Sequence, residues 1–308
     1  MLLAIEGATE LGLLYAVMAL GVYITYRILD FPDLTVDGSF TTGGAVAAIM
    51  ITYGYNSWMA TLAAFAAGLA AGACTGLLHT KGKINGLLSG ILMMIALYSI
   101  NLRIMGKPNI GFSKTDTLFT TISEHAFSYM IILIVIALVI KLSLDAFLHT
   151  DMGLALRATG DNSRMIRSLG ANTDNTTIVG VSLSNGMVAV SGALIAQQSS
   201  FADINMGVGM IVIGLASVII GEAIFGARTV FRATLAVVLG AIVYRIVYAL
   251  ALRIEWMKAT DMKLITALIV IIALVLPTVQ RAIKQRGLAR KRSSELAAAA
   301  SSGKGGRV

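Results

Sequence analysis

Residues 150–177 read TDMGLALRATGDNSRMIRSLGANTDNTT, and their character decides how the chain is arranged. On either side lie apolar runs, 127–148 and 177–197, each near the roughly 20 residues that a membrane-crossing helix needs. The stretch between them is polar and charged. It lacks the Gly, Ser and Pro richness of a linker, and it carries helix punctuation at both ends. Asp161, Asn162 or Ser163 can accept a hydrogen bond from the free N–H groups of a helix's first turn. Gly170 can take the left-handed conformation that ends one. The spacing predicts a short helix over 163–169, about two turns long. Arg164 and Arg167 are three apart and share one face, while Met165 and Ile166 supply apolar surface. Gly160 is expected to let the chain turn sharply into this helix, and Thr173 and Asp174 to cap the next one. Two readings stay open on the residues alone: a helix built to dock onto a soluble partner, and an amphipathic connector lying on lipid.

Composition extends the membrane reading to the whole chain. Of 308 residues, 57% are hydrophobic and 13% charged, and the mean hydropathy is +0.82. Soluble domains carry about 25% charged residues. Apolar runs recur at 7–26, 36–52, 58–78, 85–105, 127–148, 177–197, 208–225, 230–252 and 264–280. The fold class is therefore all-α: a polytopic integral membrane helical bundle of about nine spans. The 31 glycines and the low aromatic content suit close helix packing in lipid. Residues 1–282 form a single transmembrane domain, and residues 283–308 a basic, low-complexity tail expected to be disordered.

Lysine and arginine placement sets the orientation. With the C-terminus inside, the inner side gathers Arg27, Lys81, Lys83, Lys141, Arg157, Arg164, Arg167, Arg228, Arg232 and the basic tail. The outer side holds only Arg103, Lys107, Lys114, Arg253, Lys258 and Lys263. That bias predicts an outside N-terminus, an inside C-terminus and a cytoplasmic 150–177 loop. The acidic residues Glu6 and Glu10 at the start of the first run are unlike a cleavable signal. The net charge of +8 belongs to this membrane-face pattern, and nucleic acid is not an expected partner.

Chemistry-bearing patterns are scarce. The single cysteine, Cys74, and the scattered His79, His125 and His149 offer no metal-ligand spacing. No GxSxG elbow suggests hydrolysis, and no GxxxxGK[ST] loop suggests ATP binding. No cofactor and no catalytic residue are expected. Glu222 is expected to pair with Arg228 or another inner arginine, and Arg245 to pair with Glu222 or snorkel inward. Asp37 is expected to cap the second span. Uncharged polar residues in or near spans are candidates for a solute path: Thr41, Thr42, Asn101, Arg103, Asn185 and Asn205. Helix–helix hydrogen bonding is the competing reading for each. One echo appears, Phe31-Pro32-Asp33-Leu34-Thr35 against Phe201-Ala202-Asp203-Ile204-Asn205, on opposite sides of the expected topology. It fits an inverted repeat of the kind transporters use, although five residues can also recur by chance.

The block LRATGDNSRMIRSLGAN, followed by a span and SGALIAQQSSFADINMGVGMIVIGLASVIIGE, resembles the permease subunits of bacterial ABC importers of the branched-chain amino acid and ribose type. DLTVDGSF, LYSINLRIMGKPNIG and TDMKLITALIVIIALVLP are similar to the putative tryptophan/tyrosine transport permeases within that type. The resemblance implies a multi-pass protein of the bacterial inner membrane with a second permease copy beside it. It further implies an ATP-binding cassette ATPase that hydrolyses ATP, and an extracytoplasmic binding protein. The ATPase would dock on a coupling helix matching Ala158, Thr159, Gly160, Asp161, Asn162, Ser163, Arg164, Met165, Ile166, Arg167 and Gly170. The transported solute is then expected to be small, an amino acid and by resemblance an aromatic one. A channel or secondary carrier working without an ATPase is the alternative, and a membrane-embedded enzyme a third.

Overall fold

The computed structural model describes residues 2–113, 117–119 and 126–252, with isolated positions from 264 to 275. Nine α-helices appear among the described residues. They are α1 (Leu2–Tyr23), α2 (Thr35–Thr52), α3 (Ser57–Thr80), α4 (Gly86–Met105), α5 (Ala126–Leu148), α6 (Asp151–Ser168), α7 (Thr173–Ser199), α8 (Met210–Phe225) and α9 (Val230–Ala251). A π-helical turn, Ile24–Ile28, extends α1.

Six described helices are long and apolar enough to cross a membrane, so the protein is multi-pass. They are α1 with its π-turn, α3, α4, α5, α7 and α9. The expectation of about nine spans exceeds this number for identifiable reasons. The apolar α8 has only 16 residues. The first ten residues of α2, TVDGSFTTGG, are too rich in small and polar groups to read as a lipid-crossing run. The ninth run and the basic tail lie outside the described residues, apart from isolated positions.

α7 is the axis of the bundle. It packs antiparallel to α1, with Ser191 Oγ donating to the Leu14 carbonyl and Ser184 Oγ to that of Gly21. It runs parallel to α2, and the two approach so closely that a Cβ on Gly43 would strike the Ala189 carbonyl. Lipid offers no hydrophobic drive between helices, so such contacts between small residues and backbone supply the packing. Side-chain hydroxyls add cross-helix bonds of the kind Thr61 makes by accepting from Gln197 Nε2 at 2.8 Å.

One end of the bundle collects the π-turn, the α3–α4 loop, α6 and the α8–α9 loop. Phe31 meets His79 edge-on at 5.1 Å, and Arg27 Nε donates to Glu222 Oε1 at 3.0 Å. Leu156 packs in the core with Leu29. Arg27, Lys81, Lys83, Arg157, Arg164, Arg167, Arg228 and Arg232 therefore sit at this same end. At the opposite end a two-stranded antiparallel ladder, β1 (Asn109–Gly111) with β2 (Phe201–Asp203), pairs Ile110 with Ala202.

Several local expectations are corrected. Asp37 does not cap its own helix; its carboxylate reaches α8. The residue capping α7 is Asn172, whose Oδ1 accepts from Asn175 N at 3.2 Å, not Thr173 or Asp174. The expected pairing of Glu222 with an inner arginine does hold, and the partner is Arg27. Arg245 neither pairs with Glu222 nor snorkels; its guanidinium stacks 3.6 Å over the Tyr15 ring. Gly160 is not at a turn. It is inside α6, where a Cβ would collide with the Ile28 carbonyl.

Candidate functional site

The polar segment that follows α5 folds into α6, which kinks once. Thr150 Oγ1 accepts from Gly153 N at its start. Residue Asn162 has φ −157° and ψ 85°, which interrupts the helix and leaves a separate short turn after it. That backbone is extended, the ordinary conformation of an N-cap, and Asn162 Oδ1 accepts from Met165 N at 3.0 Å. Gly170, at φ +88°, closes the far end. The short helix of residues 163–168 was legible from its caps. The eleven residues before it were not, because Gly153 and Gly160 argue against a helix until their close neighbours are known. Leu148 and Ile28 supply those neighbours.

The two halves of α6 face different surroundings. Ala158, Thr159 and Gly160 lie in the first half, where Thr159 is buried and Gly160 lies against Ile28. Asp161 borders a cavity of about 250 Å³ with Arg27, Arg157, Glu222 and Arg228. Ser163 and Arg164 are exposed, Met165 is 57% exposed and Leu169 is 72% exposed, whereas Ile166 is half-buried. Arg167 is not a free cation: it donates to Thr173 Oγ1 at 2.7 Å and to Asp174 Oδ1 at 3.3 Å. The outward surface at the basic end is thus Arg164, Met165 and Leu169, held on a capped turn.

A second polar constellation lies inside the bundle. Asn185, near the middle of α7, is fully buried. Its Nδ2 donates to Asp33 Oδ2 at 2.6 Å, and its Oδ1 accepts from Ser39 Oγ at 2.7 Å. Asp33 Oδ1 accepts from Thr35 N at 2.9 Å, and Thr35 shares a hydroxyl bond of 2.8 Å with Thr75. So α2 begins deep in the bundle, beside the middle of α7. One turn along α2, Asp37 Oδ2 accepts from Gly209 N at 2.9 Å and Oδ1 from Ile211 N at 2.8 Å. Thr41 Oγ1 accepts from Gly207 N at 3.1 Å. A carboxylate at a helix's positive end satisfies donors that lipid could not. From this shared level α2 and α8 run to opposite ends of the bundle.

The solute-path candidates separate into groups. Thr41 and Asn101 line a cavity of about 480 Å³ together with Asp37, Gly38, Tyr98 and Ile204. Asn185 is engaged in the buried network and Thr42 is buried, donating to the Gly38 carbonyl. Arg103 and Asn205 are exposed and do not line that cavity. Sequence reading missed Asp33 and the role of Asp37, since their partners lie more than 150 residues away. It also missed a buried ion pair. Lys141 Nζ lies 2.5 Å from Asp145 Oδ2, below the Phe231 ring, and Thr234 Oγ1 donates to Asp145 Oδ1. Among the described residues no three His, Cys, Asp or Glu side chains gather as a metal site would need.

Comparison with known proteins bears on the whole bundle. Residues 4–275 match the family described as branched-chain amino acid transport system / permease component. The tyrosine transport system permease protein of Clostridioides difficile is 46% identical over 84% of this chain and 86% of its own length. An uncharacterised protein of Rickettsia prowazekii is 39% identical over 71% of this chain and 76% of its own. The ribose import permease of Escherichia coli K12 is 27% identical over 67% of this chain and 65% of its own. No solved structure matches. With its multi-pass helical bundle and a family match covering most of its length, the chain belongs to the branched-chain amino acid transport system permease family.

Proposed function

We propose that this protein is the membrane subunit of a binding-protein-dependent ABC importer for an amino acid, with an aromatic side chain favoured. The observation that carries the reading is the Asn162-capped turn at the basic end, which presents Met165 and Leu169 outward. Exposed apolar residues on a capped, charged-rimmed helix suit insertion into a groove on a soluble partner. A connector resting on lipid has no need of a kink that separates one capped turn from the first half of α6. The partner in this reading is a cassette ATPase, with ATP hydrolysis on that subunit and none here. An extracytoplasmic binding protein delivers solute at the β1–β2 end, and a second permease copy completes the path. The amino-acid assignment rests on the relation to the tyrosine permease. The basic end faces the cytoplasm of a bacterial inner membrane.

The repeat belongs to the same reading. In both halves of the Phe–Asp echo the aspartate makes the same local bond. Asp33 Oδ1 accepts from Thr35 N and Asp203 Oδ1 from Asn205 N at 2.7 Å. Each precedes a helix that starts inside the bundle, α2 and α8, pointing opposite ways. Broken helices whose N-termini meet inside the bundle are what an inverted repeat places at a solute path. Alternating access then follows from rocking the halves as the ATPases close.

Co-purification of an ATPase with the tagged permease, together with ATP-dependent amino-acid uptake in reconstituted vesicles, tests the assignment. Uptake without any ATPase would replace it with a secondary carrier or channel. A cysteine at Ser168, in a Cys74→Ala background, is expected to react with an impermeant reagent only from the cytoplasmic side. Reaction in intact cells would reverse the orientation.

A further inference from the structure

The cavity of about 480 Å³ between α2, α4 and the segment entering α8 holds an unmet hydrogen-bonding demand. Asn101 is fully buried. Its Nδ2 donates to the Gly38 carbonyl at 3.2 Å, which fixes the amide's orientation. Its Oδ1 then has no partner. Buried acceptors are nearly always satisfied, so an orphan bordering a cavity marks the place of a missing donor. Beside it lies Asp37. Its two oxygens each accept one backbone N–H from the start of α8. A carboxylate has about four acceptor sites, which leaves capacity for another donor. Most of the remaining wall is apolar, contributed by Met94, Ile95, Ile204 and Val208. The volume falls within the roughly 300–1,000 Å³ of small-molecule sites.

We infer that this cavity binds a small primary amine carrying an apolar body, with the ammonium directed at Asn101 Oδ1 and Asp37. Asn101 Oδ1 and the Asp37 carboxylate can only accept, so an ammonium suits them and a carboxylate does not, while the hydroxyl-bearing Thr41, Tyr98 and Ser99 complete the wall. Arg103 does not border the space. An amino acid would therefore enter amino group first, its side chain along Met94 and Ile95 and its carboxylate toward the opening. The identification of an amino acid as the biological ligand rests on the functional reading above; the amine site itself does not. The same ammonium chemistry exists on the phosphatidylethanolamine headgroup, and the experiment separates the two sources.

The test is protection of a cysteine. Ser99, which lines the cavity, becomes Ser99→Cys in a Cys74→Ala background, and the purified permease is placed in phosphatidylcholine nanodiscs. Maleimide labelling is then timed with tyramine, L-tyrosine or 3-(4-hydroxyphenyl)propionate. Tyramine and L-tyrosine are expected to slow labelling severalfold, and the propionate, which lacks the amine, to leave it unchanged. Asn101→Leu is expected to raise the half-protecting tyramine concentration about tenfold or more. Should that variant fail to fold, Met94→Trp fills the cavity instead and removes protection. Protection by the propionate equal to that by tyramine would overturn the proposal, as would no protection by any probe. Slowing by phosphatidylethanolamine nanodiscs alone would assign the cavity to lipid and also overturn it. Since no ATPase or binding protein is present, protection combined with failed ATPase co-purification would remove the importer reading and leave this site standing.

Discussion

Asn185 Nδ2 donates to Asp33 Oδ2 at 2.6 Å, joining the middle of α7 to the linker that starts α2. The same amide accepts from Ser39, so one side chain fastens the entry to α2 at two points. All three residues are buried. Removing one partner leaves the others desolvated and unpaired, at about 1–3 kcal/mol for each neutral group and more for a charged one. Asn185→Leu is therefore expected to lower the thermal midpoint of the purified protein clearly. Ser39→Ala, which leaves the Asp33 bond intact, should lower it less. Equal, small shifts for both would show that the network does not hold α2.

The α8 N-terminus depends on Asp37. Two backbone donors there, Gly209 N and Ile211 N, have this carboxylate as acceptor. Loss of a cap costs about 0.5–2 kcal/mol, and a low-dielectric surrounding makes bare donors worse. Asp37→Ala is expected to raise hydrogen exchange at residues 207–213 while leaving the middle of α7 protected. Unchanged exchange at those amides would contradict the assignment of Asp37 to α8.

Gly160→Ala separates two physical effects of opposite sign. Alanine favours a helix over glycine by about 1 kcal/mol. Here the added Cβ would strike the Ile28 carbonyl, so α6 must shift from the π-turn. Overpacking of this kind costs about 1–3 kcal/mol. The variant is expected to be less stable and to transport poorly. A neutral or raised thermal midpoint would mean that α6 does not press against Ile28.

Two ion pairs should respond differently. Arg27–Glu222 is open to solvent, its arginine side chain 58% exposed, while Lys141 is 2% exposed. Exposed pairs contribute about 0–1 kcal/mol, whereas breaking a buried pair costs about 3–5 kcal/mol. Glu222→Gln is thus expected to leave the thermal midpoint nearly unchanged, and Lys141→Met to lower it strongly. Pairing Lys141→Met with Asp145→Leu should recover much of that loss. If the double variant is as unstable as the single one, the charge left on Asp145 is not the cause.

What the sequence disclosed was local. The Asp161, Asn162 and Ser163 group and Gly170 announce a helix between them because capping is decided within a few residues, and the apolar runs announce α1, α3, α4, α5, α7 and α9 because their lengths match a bilayer. What it hid was long-range. Asp37 looks like a cap for α2 because it sits in that helix's first turn, and only the fold brings Gly209 beneath it. Asp33 and Asn185 are 152 positions apart. Glycines 153 and 160 look like helix breaks until Leu148 and Ile28 are seen against them. Lys141 reads as a membrane-face cation because it is near the end of its span. Its burial depends on Asp145, Phe231 and Thr234, two of which belong to α9.

The central claim is that the turn following Asn162 couples the bundle to an ATPase. Met165, exposed and remote from the bundle interior, is the residue that isolates it. Truncating or charging a buried interface anchor costs about 2 kcal/mol or more, some thirtyfold in affinity. The decisive measurement is ATPase pull-down by Met165→Asp and by wild type at equal permease levels, with Ala158→Ser as a variant of the half of α6 before the kink. Loss of most of the ATPase with Met165→Asp, at an unchanged thermal midpoint, is the predicted result. Wild-type recovery of the ATPase by Met165→Asp would contradict it.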